Sequence, residues 1–222
     1  KITNILLDRL LPAPSGWESI TDNIGKLQNS GIEVGLNTLN VTAGEFSWRT
    51  DFVFDKNRNK ILELSGGKRD DIGNRLFIGQ PVQVNYDYVF DGIWQTNQSE
   101  AAMVYNQKPG QIRVKDLDNN GIINADDRQI IGKRVPEWTG SIANTFKYGD
   151  IDLYFMLYTR QGEQFNSSFD ATLMNYNSPY KQVEVDYWTL DNPSEKHFQP
   201  GNPGPYAGVI NYRDVRFVRV GN

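Results

Sequence analysis

The sequence predicts an all-β protein arranged as an antiparallel up-and-down meander. Three observations carry that expectation. Several stretches alternate apolar and polar side chains with period two, two very short turns join such stretches into hairpins, and long polar segments separate the hairpins. At 222 residues the chain can bury a core as one large domain or two small ones. Its net charge is −4, and no basic stripe suits it to nucleic acid. Having no cysteine, it is neither a disulfide-stapled module nor a thiolate metal site. Residues 1 to 30 lack the pattern of a secretory leader, and no run of about 18 apolar residues offers a membrane helix. Strands that cross a membrane escape that test, because alternation of lipid-facing and lumen-facing side chains keeps the average hydropathy low.

Residues 1 to 30 read as a short extended segment, broken at Pro12 and Pro14, followed by a polar loop. Ile32, Val34 and Leu36 then alternate with Glu33, Gly35 and Asn37, the period of a half-buried strand. After a turn at Thr42-Ala-Gly-Glu45, Phe46, Trp48, Thr50, Phe52 and Phe54 share one face, and Ser47, Arg49 and Asp51 the other. Residues 55 to 79 are charged and glycine-rich. Val82, Val84, Tyr86, Tyr88 and Phe90 predict another strand, with Pro81 at its first position, where a missing donor is tolerated. Glu100 to Tyr105 predicts one helical turn. A second hairpin runs from Ser141 to Arg160 through the turn Gly149-Asp150, with Asn144 sharing the face of Ile142, Phe146 and Tyr148. Residues 161 to 211 form a long polar stretch with five prolines, and Tyr212 to Val220 alternates again.

If the two short turns lie on one side of a meander, an even number of strands must separate Phe54 from Ser141. Residues 55 to 140 are then one large excursion on the opposite side or contain one extra hairpin. Either way, short turns face one side and long loops the other, as in transmembrane barrels.

The densest chemistry lies in Asp116-Leu-Asp-Asn-Asn-Gly-Ile-Ile-Asn-Ala-Asp-Asp127. Asp116, Asp118, Asn120, Asn124 and Asp127 occupy the first, third, fifth, ninth and twelfth positions of a calcium loop. The carbonyl of Ile122 fills the seventh, and Gly121 stands where the chain must turn sharply. Hard cations need several oxygens on a tightly curved backbone, so this spacing predicts Ca2+, with Mg2+ as an alternative. Ile123 is apolar at a position that packs inward. Asp, Asn and Gly also favour turns without any metal, so a solvated acidic turn is the competing reading. Asp127 is shorter than the glutamate usual at position twelve, so bidentate ligation would need a closer backbone.

Trp94, Tyr176, Tyr180, Tyr187 and Trp188 lie outside the cleanest strands and are candidates to stack on a substrate, with loop anchoring as the plainer role; Trp138, beside Pro136, reads as structural. For catalysis, Glu184 and Asp186 are a candidate carboxylate pair, and His197 is the only histidine. Two acids two residues apart are usually just exposed charges, and no nucleophile motif accompanies the histidine, so no enzyme is predicted.

In order and spacing, Asn23-Ile-Gly-Lys26, Asn29 to Glu33, Asn57 to Ile61, Gly79-Gln-Pro81, Tyr88 to Gln95 and above all Pro109 to Pro136 resemble the C-terminal barrel region of SusC/RagA-type TonB-dependent outer-membrane transporters. In the last of these segments, Asp116 to Asp127 runs straight into Arg128 and Ile131-Gly132. The resemblance covers nearly all of residues 1 to 222. It implies the cell outer membrane and part of a 22-strand transmembrane β-barrel. The excursion at 55–140, containing the loop 116–127, and the loop at 161–211 would be extracellular. It also implies uptake of an oligosaccharide or peptide under a SusD-like surface lipoprotein, with outer-membrane lipid around the barrel and TonB acting through a plug. The chain would start beyond that plug and stop short of a terminal strand, supplying a minority of the barrel. The alternative is a soluble, calcium-stabilised β-sandwich that binds carbohydrate, with the same apolar faces packed against each other.

Overall fold

A computed structural model describes residues 2–10, 19–64, 67–167 and 185–221. Its strands are β1 (Ile2–Leu10), β2 (Ser19–Ala43), β3 (Phe46–Glu63), β4 (Val84–Tyr88), β5 (Phe90–Ile93), β6 (Ile112–Val114), β7 (Arg128–Lys133), β8 (Trp138–Tyr148), β9 (Ile151–Gln161), β10 (Gln164–Asn166), β11 (Tyr212–Asp214) and β12 (Phe217–Gly221), with one short helix, α1 (Ser99–Val104). β-Branched and aromatic residues suit a pleated surface, and Gly44 and Gly149, at φ of +58° and +57°, let the chain reverse where a side chain would be strained.

Six strands form one antiparallel sheet in the order β1-β2-β3-β8-β9-β12. β3 pairs directly with β8, from Phe46 opposite Tyr148 to Asp55 opposite Thr139. Of the two arrangements that the parity of the turns allows, no extra hairpin therefore enters the sheet. β8 and β9 each have 11 residues, a length that carries a tilted strand across a bilayer at about 9–11 residues. β2 is longer, at 25 residues. It begins at Ser19, where a loop was expected, because its first half is held by β1 on one edge.

The register places Val34, Leu36, Phe52, Phe54, Ile142, Phe146, Leu153, Phe155, Leu157, Val218 and Val220 on one face, and Glu33, Asn37, Arg49, Asp51, Lys147, Asp152, Arg160 and Arg219 on the other. Trp48 and Phe146 stack at 5.6 Å between ring centroids, as do Phe146 and Phe155 at 6.1 Å, tying β3, β8 and β9 together on the apolar face. That face is open rather than half-buried: Leu36 is 55% and Val220 70% exposed. A sandwich would cover it with a second sheet, so the soluble two-sheet alternative does not fit this sheet.

A hydrogen-bonded polar cluster interrupts the apolar face. The Asn144 side-chain oxygen accepts from Trp48 Nε1 at 2.9 Å and Thr50 Oγ1 at 2.7 Å, while Asn40 Nδ2 donates to Thr50 Oγ1 at 2.6 Å. Hydrogen bonding across strands makes these groups tolerable where water is scarce.

The chain divides into two units: one comprises residues 1–84, 133–164 and 214–222 and holds the six-stranded sheet; the other comprises 85–132 and 165–213. The second is built on small two-stranded pairings, β5 with β6 and β10 with β11, together with α1. Ile93, Ile112, Val114, Trp188, Phe198, Val209 and Ile210 form its core. Gly110, at φ +85°, lies where a Cβ would come within 2.7 Å of the Trp188 ring. Its amide donates to the Trp94 carbonyl and its own carbonyl accepts from Gln199, which fastens 85–132 to 165–213. The single strand expected over 82–90 is two, because β4 pairs with β7 and β5 with β6. Likewise, the alternation from Tyr212 to Val220 is split between β11 and β12.

Candidate metal centre

Between β6 and β7, the loop from Asp116 to Asp127 is wound by its own side chains. The Asp116 carboxylate accepts from the amides of Asn120 at 3.2 Å and Gly121 at 2.8 Å, and from the Tyr105 hydroxyl at 3.2 Å. Asn119 and Gly121, at φ of +58° and +80°, make the sharp turn. Asn120 Oδ1 accepts from the Ile122 amide at 2.7 Å, fixing the peptide whose carbonyl was expected as a ligand. Ile123 packs against the core, whereas Ile122 is exposed. Asn124 caps a single 3-10 turn, Ala125–Asp127, by accepting from Asp126 N at 2.7 Å. Asp127 is fully buried, and its two oxygens accept from the amides of Leu117 and Asn124, both at 2.8 Å.

Carboxylate oxygens of Asp116, Asp118 and Asp127 lie within 4.8 Å of one another. Desolvation raises the Asp118 carboxyl above its usual range; the Asn120 amide opposes this, while contact with Asp116 and the charge of Asp127 add to it. At Asp116, desolvation also pushes upward, but hydrogen bonds led by the Gly121 amide outweigh it and hold that carboxyl low. Three acids converge and one of them resists ionisation, so the donor set fits a hard cation: all oxygen, with two side-chain amides and a peptide carbonyl on the same short loop. The Tyr105 hydroxyl is a member of this cluster that the loop spacing does not reveal, since it comes from the end of α1.

The aromatic candidates fare differently. Trp94 is buried, donates from Nε1 to Gln107 at 2.9 Å, stacks on Tyr105 at 5.8 Å and carries the Arg113 guanidinium at 5.2 Å. Trp188 is 3% exposed and donates to Gln95 at 3.0 Å. Both rings are occupied in packing, which corrects their assignment as substrate platforms. Tyr187 is exposed. Tyr176, Tyr180 and Glu184 lie outside the described residues. Asp186 accepts from Asn192 Nδ2 at 2.6 Å, and His197 Nδ1 is buried with no hydrogen-bond partner among the described residues.

No family model matches the chain. Two TonB-dependent receptors of Formosa agariphila are similar to it: one is 32% identical over 207 residues, covering 87% of this chain and 21% of that protein, and the other 31% identical over 196 residues, covering 79% and 18%. TonB-dependent receptor SusC of Bacteroides thetaiotaomicron is 25% identical over 171 residues, covering 71% and 16%. The chain thus spans about a fifth of the length of the curated relatives it matches. A solved structure of the RagAB peptide transporter superposes with a TM-score of 0.74 over 98% of this chain and 24% of that one; at 19% identity it speaks to fold alone. With both sequence and fold in agreement over most of its length, the chain belongs to the SusC-type TonB-dependent receptors and forms part of a β-barrel of that family.

Proposed function

We propose that the protein containing this chain imports a nutrient, an oligosaccharide or a peptide, across the outer membrane, with a SusD-like lipoprotein as its lid and TonB as its energy source. The observation that carries this reading is the six-stranded sheet. One face is apolar and open, the opposite face is charged, and β8 and β9 have the length that crosses a bilayer. Short turns at Gly44 and Gly149 then lie on the periplasmic side, and the long loops outside. In cells carrying the full-length gene, the receptor is expected in the outer-membrane fraction, and its deletion should abolish growth on one class of oligosaccharide or peptide. Recovery of the full-length protein in the soluble fraction would sink the reading.

The loop from Asp116 to Asp127 is proposed as a Ca2+ clip that holds part of the second unit in shape. Its support is the convergence of three carboxylates on a loop already curved by Gly121. An affinity of about 10⁻⁴ to 10⁻³ M is expected, as in other extracellular modules. Calorimetric titration of the full-length receptor should show saturable Ca2+ binding that Asp118→Ala abolishes. Asp127→Ala should do the same and also cost about 1–3 kcal/mol, because the amides of Leu117 and Asn124 lose a fully buried acceptor. Identical titrations for wild type and Asp118→Ala would count against the site.

A further inference from the structure

On β3 the apolar face does not simply end. The register with β2 is unbroken from Leu27 to Leu39, so Phe52 and Phe54 share their face with Lys56, Arg58 and Lys60, which stand opposite Ile32, Ser30 and Gln28. At about 3.3 Å per residue, Arg58 lies roughly 13 Å beyond Phe54 along the strand. The row passes from aromatic to cationic within two residues, at the end of the strand away from the tight turn.

At the same place the sheet opens. Pairing of β3 with β8 stops at Asp55 opposite Thr139, and the next partner on that edge is the segment 79–80, where Ile61 donates to the Gln80 carbonyl at 2.9 Å and accepts from Gly79 at 2.8 Å. Since alternate residues of a strand present their N–H to the same edge, Asn57 and Asn59 turn theirs into the gap between these two pairings. A cleft of about 480 Å³ occupies it, lined among others by Gln28, Ser30, Arg58, Lys60, Lys133 and Glu137. Lys133 is paired with Glu137 at 3.2 Å. Arg58 and Lys60 make no ion pair among the described residues.

We propose that this cleft binds the phosphate of an outer-leaflet glycolipid, with acyl chains lying on the apolar face of β2, β3 and β8. Cations placed one step beyond a membrane-facing aromatic row meet the headgroup rather than the acyl layer. A guanidinium, an ammonium and inward-turned main-chain amides make a donor set for phosphate oxygens, and Gln28 and Ser30 supply neutral hydrogen bonds to the sugar. Glu137 is the one carboxylate in the lining, and it restrains Lys133.

This proposal rests on the outer-membrane reading, and its test separates the two. The full-length receptor is purified in detergent, and retention of diphosphoryl lipid A, dephosphorylated lipid A and inorganic phosphate is measured by native mass spectrometry. Wild type should retain diphosphoryl lipid A about tenfold better than the dephosphorylated form, a difference that a charge-assisted phosphate contact supplies. Arg58→Gln with Lys60→Gln should erase that preference, while Glu137→Gln should increase it. Equal retention of the two lipids by wild type overturns the proposal without any variant having to fold. Saturable binding of inorganic phosphate with no preference for lipid A overturns the lipid assignment. A receptor absent from the outer membrane is a failure of the underlying reading, whereas one that is present but indifferent to the phosphate is a failure of this proposal alone.

Discussion

The two units of this chain handle apolar side chains in opposite ways. On the apolar face shared by β2, β3, β8, β9 and β12, large aliphatic groups are open, as at Ile151, Val218 and Leu153. In the unit formed by 85–132 and 165–213 they are inside, with Ile112 and Ile93 shielded from solvent. The polar groups are reversed as well. Fully buried Asp127 accepts two main-chain amides in the second unit, whereas Arg49 and Asp51 of the sheet stand on the face opposite the apolar one. The same hydrophobic driving force produces both patterns once the first unit is given lipid for its outer solvent and the second only water. Exposure alone therefore does not mark a position as tolerant of change.

The largest test of this contrast is Trp188→Ala. Removing a buried tryptophan leaves a cavity and should cost about 3–5 kcal/mol. Hydrogen exchange in the full-length receptor should show the loss within 85–132 and 185–213, with β8 and β9 still protected. Loss of protection in β8 and β9 to the same degree would break the contrast.

Leu157→Arg comes next, and it separates lipid from water most directly. Leu157 sits near the middle of β9, is 37% exposed and faces Ile142 and Val220. On a water-facing surface such a change stays within about 0.5 kcal/mol. At the bilayer midplane it should cost about 2–4 kcal/mol. Reversible unfolding of the receptor from phospholipid vesicles measures the difference, and a near-neutral result would mean that this face does not meet lipid.

The same contrast explains what the sequence could reveal. The hairpin of β8 and β9 is legible because each strand is one bilayer-length run of period two, joined by Gly149-Asp150. The first half of β2 is not: before Gly31, Ile20, Ile24 and Leu27 are scattered among polar and small residues, so no sustained alternation marks a strand that is specified instead by β1 and β3 beside it. The calcium-type loop is legible because its ligand spacing is local, yet Tyr105 is not, since its contact with Asp116 depends on how α1 ends. The packing role of Trp94 and Trp188 is hidden in the sequence for a related reason. A small loop-built core has no period, so its tryptophans look the same in sequence as rings offered to a ligand. Only the tertiary bonds to Gln107 and Gln95 distinguish them.

The smallest expected effect belongs to His197, and it too depends on which unit the residue occupies. Its ring is held below the usual imidazole range by desolvation first and by the positive charge of Arg213 next, with Asp186 pulling the other way. Nδ1 is buried with no hydrogen-bond partner among the described residues, so a proton added there has nowhere to donate. A histidine whose folded pKa lies below its unfolded value of about 6.5 contributes stability that is complete above that pH and is lost as pH falls through the folded value. Exchange protection around Trp188, whose amide donates to the His197 carbonyl at 2.9 Å, should therefore weaken from pH 7.5 to pH 5.5 after correction for intrinsic rates. His197→Gln should flatten that dependence, and β8 and β9, which contain no histidine, should not share it. A parallel loss in β9, or an unchanged slope in the variant, would move the source of the pH dependence away from this imidazole.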